Sequence, residues 1–200
     1  MNDAISHLRR QDPILSEIID RVGEYRIQFR DPVFETLVRS IVYQQLSGRV
    51  AAVIYGRLEL AVAGNVTPES ILKLRPARMR KLGLSTQKTA YIRDLARHTR
   101  DGVVVFEELP GLSDSDVIER LTQVKGIGVW TAHMFLMFAL QRADILPTGD
   151  LGIRSAMRKA YGLKEMPLPA EMEQIASRWR PYCSVASWYL WRSLESTAAI

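Results

Sequence analysis

The 200-residue sequence contains one cysteine, Cys183. A single thiol closes no intramolecular disulfide, and it cannot supply the four thiolates of an iron–sulfur cluster. The three histidines occur in no H-x-x-x-H pattern, and there is no C-x-x-C, so no transition-metal site is indicated. No apolar run reaches transmembrane length. The opening MNDAISHLRRQDP lacks the apolar core of a signal peptide, which gives the expectation of a cytoplasmic protein, nucleoid-associated if bacterial. Strand composition is confined to DGVVVF at 101–106. One short strand has nothing to pair with, so this stretch reads as extended loop. There is no internal repeat and no low-complexity segment.

What is present is apolar and mildly basic. Hydrophobic residues make up 47% of the chain, enough for a sizeable core. The length suits one substantial domain or two small lobes. A net charge of +5 permits a polyanionic partner without requiring one.

Helical signals recur along the chain. Residues 2–10 suit a short helix. Asp12-Pro13 is an N-cap followed by proline at N1, ahead of the apolar stripe Ile14, Leu15, Ile18, Ile19 and Val22. Residues 33–46 place Val33, Phe34, Leu37, Val38, Ile41, Val42 and Gln45 at helical spacing. Ser47-Gly48 interrupts, and helix resumes from Arg49 to about Val62. Thr67-Pro68-Glu69, Arg75 to Leu82, Ser85 and Ser113 mark further helices. Beyond them lie Leu151 to Tyr161, Pro169 to about Arg180, and Ser184 to about Leu194. The fold class is all-α.

The most informative stretch is LTQVKGIGVWTAHMFLMFAL at 121–140, followed by LPTGDLGIR. Apolar residues at helical spacing lead into Gly126 and Gly128, and Trp130 to Leu140 reads as a second, strongly apolar helix. This is a helix, a glycine hairpin and a helix. Free N–H groups of Gly126, Gly128 and the next helix's first turn, including Thr131, make an anion site that fits a DNA phosphate. Lys125 adds positive charge beside it. Asp150 stands just ahead of another helix, where the N-terminus favours negative charge. Taken alone, G-I-G is any tight helix turn, and an aspartate before a helix is a plain N-cap.

Together, V-K-G-I-G-V-W-T-A and L-P-T-G-D resemble the helix-hairpin-helix, Gly/Pro-rich loop and aspartate signature of a DNA glycosylase superfamily. Within it the resemblance is to the 3-methyladenine DNA glycosylase II type, and it covers roughly residues 30–195. The chain is too short for the extra N-terminal β-rich domain of the inducible bacterial enzyme, so it resembles a compact form. The resemblance implies two helical lobes with an active-site cleft between them: 34–145 carrying wedge and hairpin, and 1–33 plus 146–200 carrying the aspartate and the C-terminal helices. It implies hydrolytic removal of alkylated purines from double-stranded DNA by a monomer, with no cofactor required and no membrane partner. A glycosylase for oxidised or mismatched bases and a non-catalytic damage-binding protein are the rival readings.

The site residues follow by motif match. Asp150 matches the catalytic carboxylate, whose charge stabilises the cationic sugar as the base departs. Trp130 and Trp191 match pocket tryptophans. Tyr43, Trp188 and Tyr189 are further aromatic candidates, since an indole or phenol face attracts a cationic base. Core packing suits any of them equally, Trp179 and Tyr189 above all. Leu46 matches the wedge that fills the hole left by a flipped base, with Gln45 beside it; Leu46 also suits the apolar core stripe. The carbonyls of Thr122, Val124 and Ile127 match those that hold a Na+ or K+ in similar hairpins. His133 suits the pocket or, better, a structural role. Arg78, Arg80, Lys81, Lys88 and Arg93 form a basic run that is either solvated or grips phosphates next to the hairpin. Cys183 stands where relatives often carry arginine, so a DNA-facing charge is expected to be missing.

Overall fold

The computed structural model describes residues 2–195. Among the described residues all regular structure is helical, and 101–106 is irregular. The chain forms two compact units, 1–29 with 141–200, and 30–140. No described helix is long and apolar enough to cross a membrane.

The discontinuous unit contains α1 (Asn2–Gln11), α2 (Pro13–Val22), α10 (Leu151–Ala160), α11 (Pro169–Ala176) and α12 (Cys183–Glu195). Helix α12 is buried at every residue from Cys183 to Leu190, and α2 and α10 pack on it. Its sequence has no polar stripe wide enough for a solvent face over those residues, which suits the centre of a bundle. The start of α2 is fixed by the fully buried Asp12. One carboxylate oxygen caps the Leu15 N–H at 3.1 Å, and the other accepts from Tyr161 Oη at 2.6 Å and Trp179 Nε1 at 2.8 Å. Burial and the neighbouring carboxylate raise the Tyr161 phenol above its ordinary pKa, which keeps it a donor.

The continuous unit contains α3 (Phe34–Tyr43), α4 (Gly48–Ala61), α5 (Pro68–Lys73), α6 (Pro76–Lys81), α7 (Thr86–Arg100), α8 (Asp114–Thr122) and α9 (Val129–Phe138). Helix α7 packs against α3, α5 and α6, and α8 packs against α9. Leu37, Ile41, Leu58, Ile71, Met79, Ile92 and Leu95 form the fully buried centre.

Two helix ends differ from the sequence expectation: the helix expected from Pro169 to about Arg180 ends at Ala176 and gives way to a 3-10 turn, and α3 also ends early. The apolar pattern of 33–46 suggests a helix to Leu46, but α3 stops at Tyr43. Its terminal carbonyls bond to a lysine rather than continuing the ladder: Lys88 Nζ donates to Val42 O at 2.7 Å and Gln44 O at 2.6 Å. Gln45 then takes a left-handed φ of 55°.

Candidate active site and nucleic-acid surface

In the discontinuous unit, two tight turns bring the chain to Asp150: Thr148 N–H bonds Leu146 O, and Asp150 N–H bonds Pro147 O, each at 2.9 Å. Asp150 is the N-cap of α10, with Oδ1 accepting from the Ile153 N–H at 2.8 Å. The same oxygen accepts from Trp191 Nε1, also at 2.8 Å. The residue as a whole is 9% exposed. A helix N-terminus and two donors stabilise its negative charge in this sheltered position.

Gly152 makes this arrangement sterically feasible. A Cβ there would stand 3.0 Å from Asp150 Oδ1 and 3.1 Å from Trp191 Cδ1. Glycine inside a helix costs about 1 kcal/mol relative to alanine, so its presence in the first turn of α10 marks a close approach. Sequence reasoning missed Gly152, although a glycine two residues past a helix cap was a legible signal.

The other aromatic candidates of this unit are structural. Trp188 is buried with its ring edge-on to Tyr25 at 4.7 Å, Tyr189 Oη donates to Gly23 O, and Trp179 is buried on Asp12. Trp191 is partly buried and has its indole N–H committed to Asp150. The expectation for Cys183 needs correction. Cys183 is fully buried in the core, with its thiol pKa pushed up by burial, so position 183 does not present a side chain to a partner surface.

In the continuous unit, the turn between α8 and α9 is built on Gly126, at a φ of 86°. A Cβ at Gly126 would clash with the Tyr91 ring, so both conformation and contact demand glycine. Buried Asp94 of α7 holds the turn, accepting the Lys125 N–H at 3.0 Å. The Lys125 amide is therefore committed internally, while its side chain is exposed. Gly128 is the N-cap of α9 and supplies no side-chain acceptor to the first turn. Gly128, Val129 and Trp130 are exposed at that helix start, which has the form of an anion site. Thr131 has a buried side chain, so only its backbone N–H suits a phosphate. His133 is half-buried, and burial lowers its pKa.

The carbonyls of Thr122, Val124 and Ile127 suit a hard alkali cation in their chemistry. Val124 O already accepts the Ile127 N–H at 3.1 Å, and a carbonyl's second lone pair leaves it able to ligate. Among the described residues no cluster of His, Cys, Asp or Glu could hold a metal ion.

The segment after α3 is joined to the hairpin, with Gln44 Nε2 donating to Gly126 O at 3.0 Å. Leu46 is 37% exposed and so does not continue the core stripe. With Gln44, Gln45, Ser85, Gln87 and Lys88 it borders a hollow of about 300 Å³. Tyr43 and Trp130, with Ser40, Gln44 and Gln45, line another of about 490 Å³. Sequence reasoning did not foresee Arg39, whose guanidinium carbon stands 4.4 Å from the Tyr43 ring centre and which donates to Tyr43 Oη at 2.6 Å.

Two members of the basic run prove to be internal. Lys88 caps α3, and desolvation lowers its pKa. Arg93 donates to the carbonyls of Ile71, Leu72 and Leu74 at the end of α5. Arg78, Arg80 and Lys81 are exposed.

Comparison with known proteins agrees with this geometry. The profile of the HhH-GPD superfamily base excision DNA repair proteins matches residues 38–181. The DNA-3-methyladenine glycosylase 1 of Schizosaccharomyces pombe is 34% identical over 195 residues, covering 94% of this chain and 85% of that protein. The crystal structure of a DNA-3-methyladenine glycosidase from Bacillus halodurans superposes with a TM-score of 0.87 at 38% identity, over 98% of this chain and 90% of the other. The structure of the S. pombe 3-methyladenine DNA glycosylase in complex with abasic DNA gives 0.83 at 34% identity, over 94% and 95%.

Proposed function

The chain belongs to the HhH-GPD superfamily of base excision DNA repair proteins, and on that premise we propose that it is a monofunctional DNA glycosylase. It hydrolyses the N-glycosidic bond of alkylated purines, of the 3-methyladenine and 7-methylguanine class, and leaves an abasic site. The observation that carries this reading is the Asp150 carboxylate, sheltered at a helix N-terminus and oriented by the Trp191 indole.

As the base departs, its bonding electrons leave with it and the sugar becomes cationic. A fixed carboxylate stabilises that charge more in the transition state than in the ground state. An alkylated purine already carries positive charge, so it departs without a strong general acid. Water supplies the incoming oxygen. The base is unreachable in a stacked duplex and must be flipped out. The exposed Leu46 and the left-handed Gln45 suit the gap it leaves, and Tyr43 and Trp130 offer flat surfaces to a base. The first turn of α9 and Lys125 bind backbone phosphate. Thr122, Val124 and Ile127 would hold a Na+ or K+ through their carbonyls, adding positive charge beside that phosphate. The protein acts on double-stranded DNA as a monomer.

Relatives that also cut the strand attack the sugar with a lysine amine two positions after the second glycine of the hairpin. Here that position is Trp130. The product is therefore an intact abasic site. The test is a labelled duplex with one alkylated purine, incubated with enzyme and analysed for free base and strand breaks. Free alkylated purine should appear, with cleavage only in the portion heated in alkali and no adduct trapped by borohydride. A trapped adduct, or no base released, overturns the reading.

A further inference from the structure

Two sets of basic residues in the continuous unit contrast with each other. Lys88 and Arg93 point inward and hold the ends of α3 and α5. Arg57, Arg78, Arg80 and Lys81 are exposed, and none of the four side chains makes a hydrogen bond or ion pair among the described residues. Between Thr36 and Arg93 the only acidic residues are Glu59 and Glu69, so this surface is unbalanced.

These four cations are mounted close together. Arg78, Arg80 and Lys81 lie on α6, whose Met79 is fully buried. The turn that leads into α6 is fixed by Arg93 at the Leu74 carbonyl, 2.7 Å away. Gly83 follows α6 at a φ of 108°, and a Cβ there would stand 3.1 Å from Ile54 and 3.8 Å from Arg57 Nη1. Arg57 therefore sits beside the end of α6. Gly83, Ile54 and Ser85 also border the hollow that contains Gln44, Gln45 and Leu46. Arg57, beside Gly83, thus stands near the rim of the hollow bordered by the segment assigned above to the gap of the flipped base, and α6 leads into that rim.

We propose that Arg57, Arg78, Arg80 and Lys81 form a duplex-backbone binding face that grips phosphates flanking the lesion, independently of base sequence and damage. The inference rests on the glycosylase reading for its partner. The chemistry recognised is that of regularly spaced phosphates. Each is contacted by an arginine or lysine on a braced support, so contact releases condensed counterions without first ordering the helix that carries it. Its effect falls on the search of undamaged DNA.

The experiment compares wild-type protein with Arg57→Gln/Arg78→Gln/Arg80→Gln/Lys81→Gln for binding to undamaged duplex over a series of KCl concentrations. Each phosphate contact contributes about 0.9 to the slope of log K against log salt. The variant should lose about 2.7–3.6 from that slope if three or four contacts vanish. Arg100→Gln/Arg120→Gln is the control, since these side chains pair with Asp101 and Glu108. The control should keep the wild-type slope. A second arm uses Arg78→Gln/Arg80→Gln, which matches the control in net charge and should lose slope where the control does not. Melting temperatures establish that the variants fold. An unchanged slope in the quadruple variant, or an equal fall in the control and the matched double variant, overturns the proposal. Base release by the wild-type protein is measured separately. Its absence would refute the glycosylase reading, whereas release with an unchanged slope would refute this face alone.

Discussion

Trp191 donates its indole N–H to the same carboxylate oxygen of Asp150 that caps the Ile153 amide, at 2.8 Å in each case. One oxygen is thus fixed from two directions. If the carboxylate acts on the sugar, the indole's main effect is to position it. Trp191→Phe keeps most of the ring and loses the donor. A hydrogen bond to a charged group contributes about 1.5–3 kcal/mol, so single-turnover release should fall roughly 10–100-fold. Binding to abasic DNA should change little. Release at the wild-type rate would show that Trp191 is only a wall.

Gly152→Ala tests the same contact from its other side. The added methyl would meet Asp150 Oδ1 at 3.0 Å and the indole at 3.1 Å, and α10 would itself gain helix propensity. The expected outcome is lower release with little loss of melting temperature. Unimpaired release would mean that the two side chains separate without consequence.

Much of this was legible in sequence, for reasons that differ by residue. Asp12-Pro13, Thr67-Pro68 and Ser113 begin helices because capping chemistry is local, and each stands where the sequence puts it. The hairpin was readable because Gly126 and Gly128 break two apolar helices. The end of α3 was not readable, since Lys88 terminates it from 44 residues away in the chain. For the same reason Lys88 and Arg93 were indistinguishable from Arg78 and Arg80, because charge in a sequence carries no direction. Cys183 was misjudged because that expectation rested on the residue relatives carry at the position, and the sequence does not say that the position is buried. The second oxygen-directed donor of Asp150 lies 41 residues downstream, and only the fold brings Trp191 to it.

Gly126→Ala places a β-carbon at a left-handed φ of 86° and against Tyr91. The conformation alone costs about 1–2 kcal/mol, and the clash adds to it. Thermal unfolding should shift down by several degrees, and affinity for abasic DNA should fall with it. Gly126→Ala/Tyr91→Ala should recover the steric part only. Wild-type stability of the single variant would contradict the hairpin geometry.

Leu46→Ala and Gln45→Gly separate the two wedge candidates. Leu46 is exposed, so its truncation should leave thermal stability nearly unchanged while reducing the unstacking of a fluorescent base analogue placed at the lesion. Gln45→Gly relieves a positive φ and should raise stability slightly. Unstacking that survives Leu46→Ala but is lost in Gln45→Gly would assign the wedge to Gln45.

In the proposed reaction the Asp150 carboxylate acts on charge that develops in the transition state. Asparagine is as good an N-cap as aspartate, so Asp150→Asn keeps the cap of α10 and removes the charge. The measurement is single-turnover release of alkylated purine by Asp150→Asn at saturating enzyme, paired with its affinity for abasic duplex. Release should fall by roughly a hundredfold or more, with affinity and melting temperature near wild type. Near-wild-type release would contradict it. So would a collapse of the melting temperature that accounts for the lost activity, for Asp150 would then be a helix cap alone.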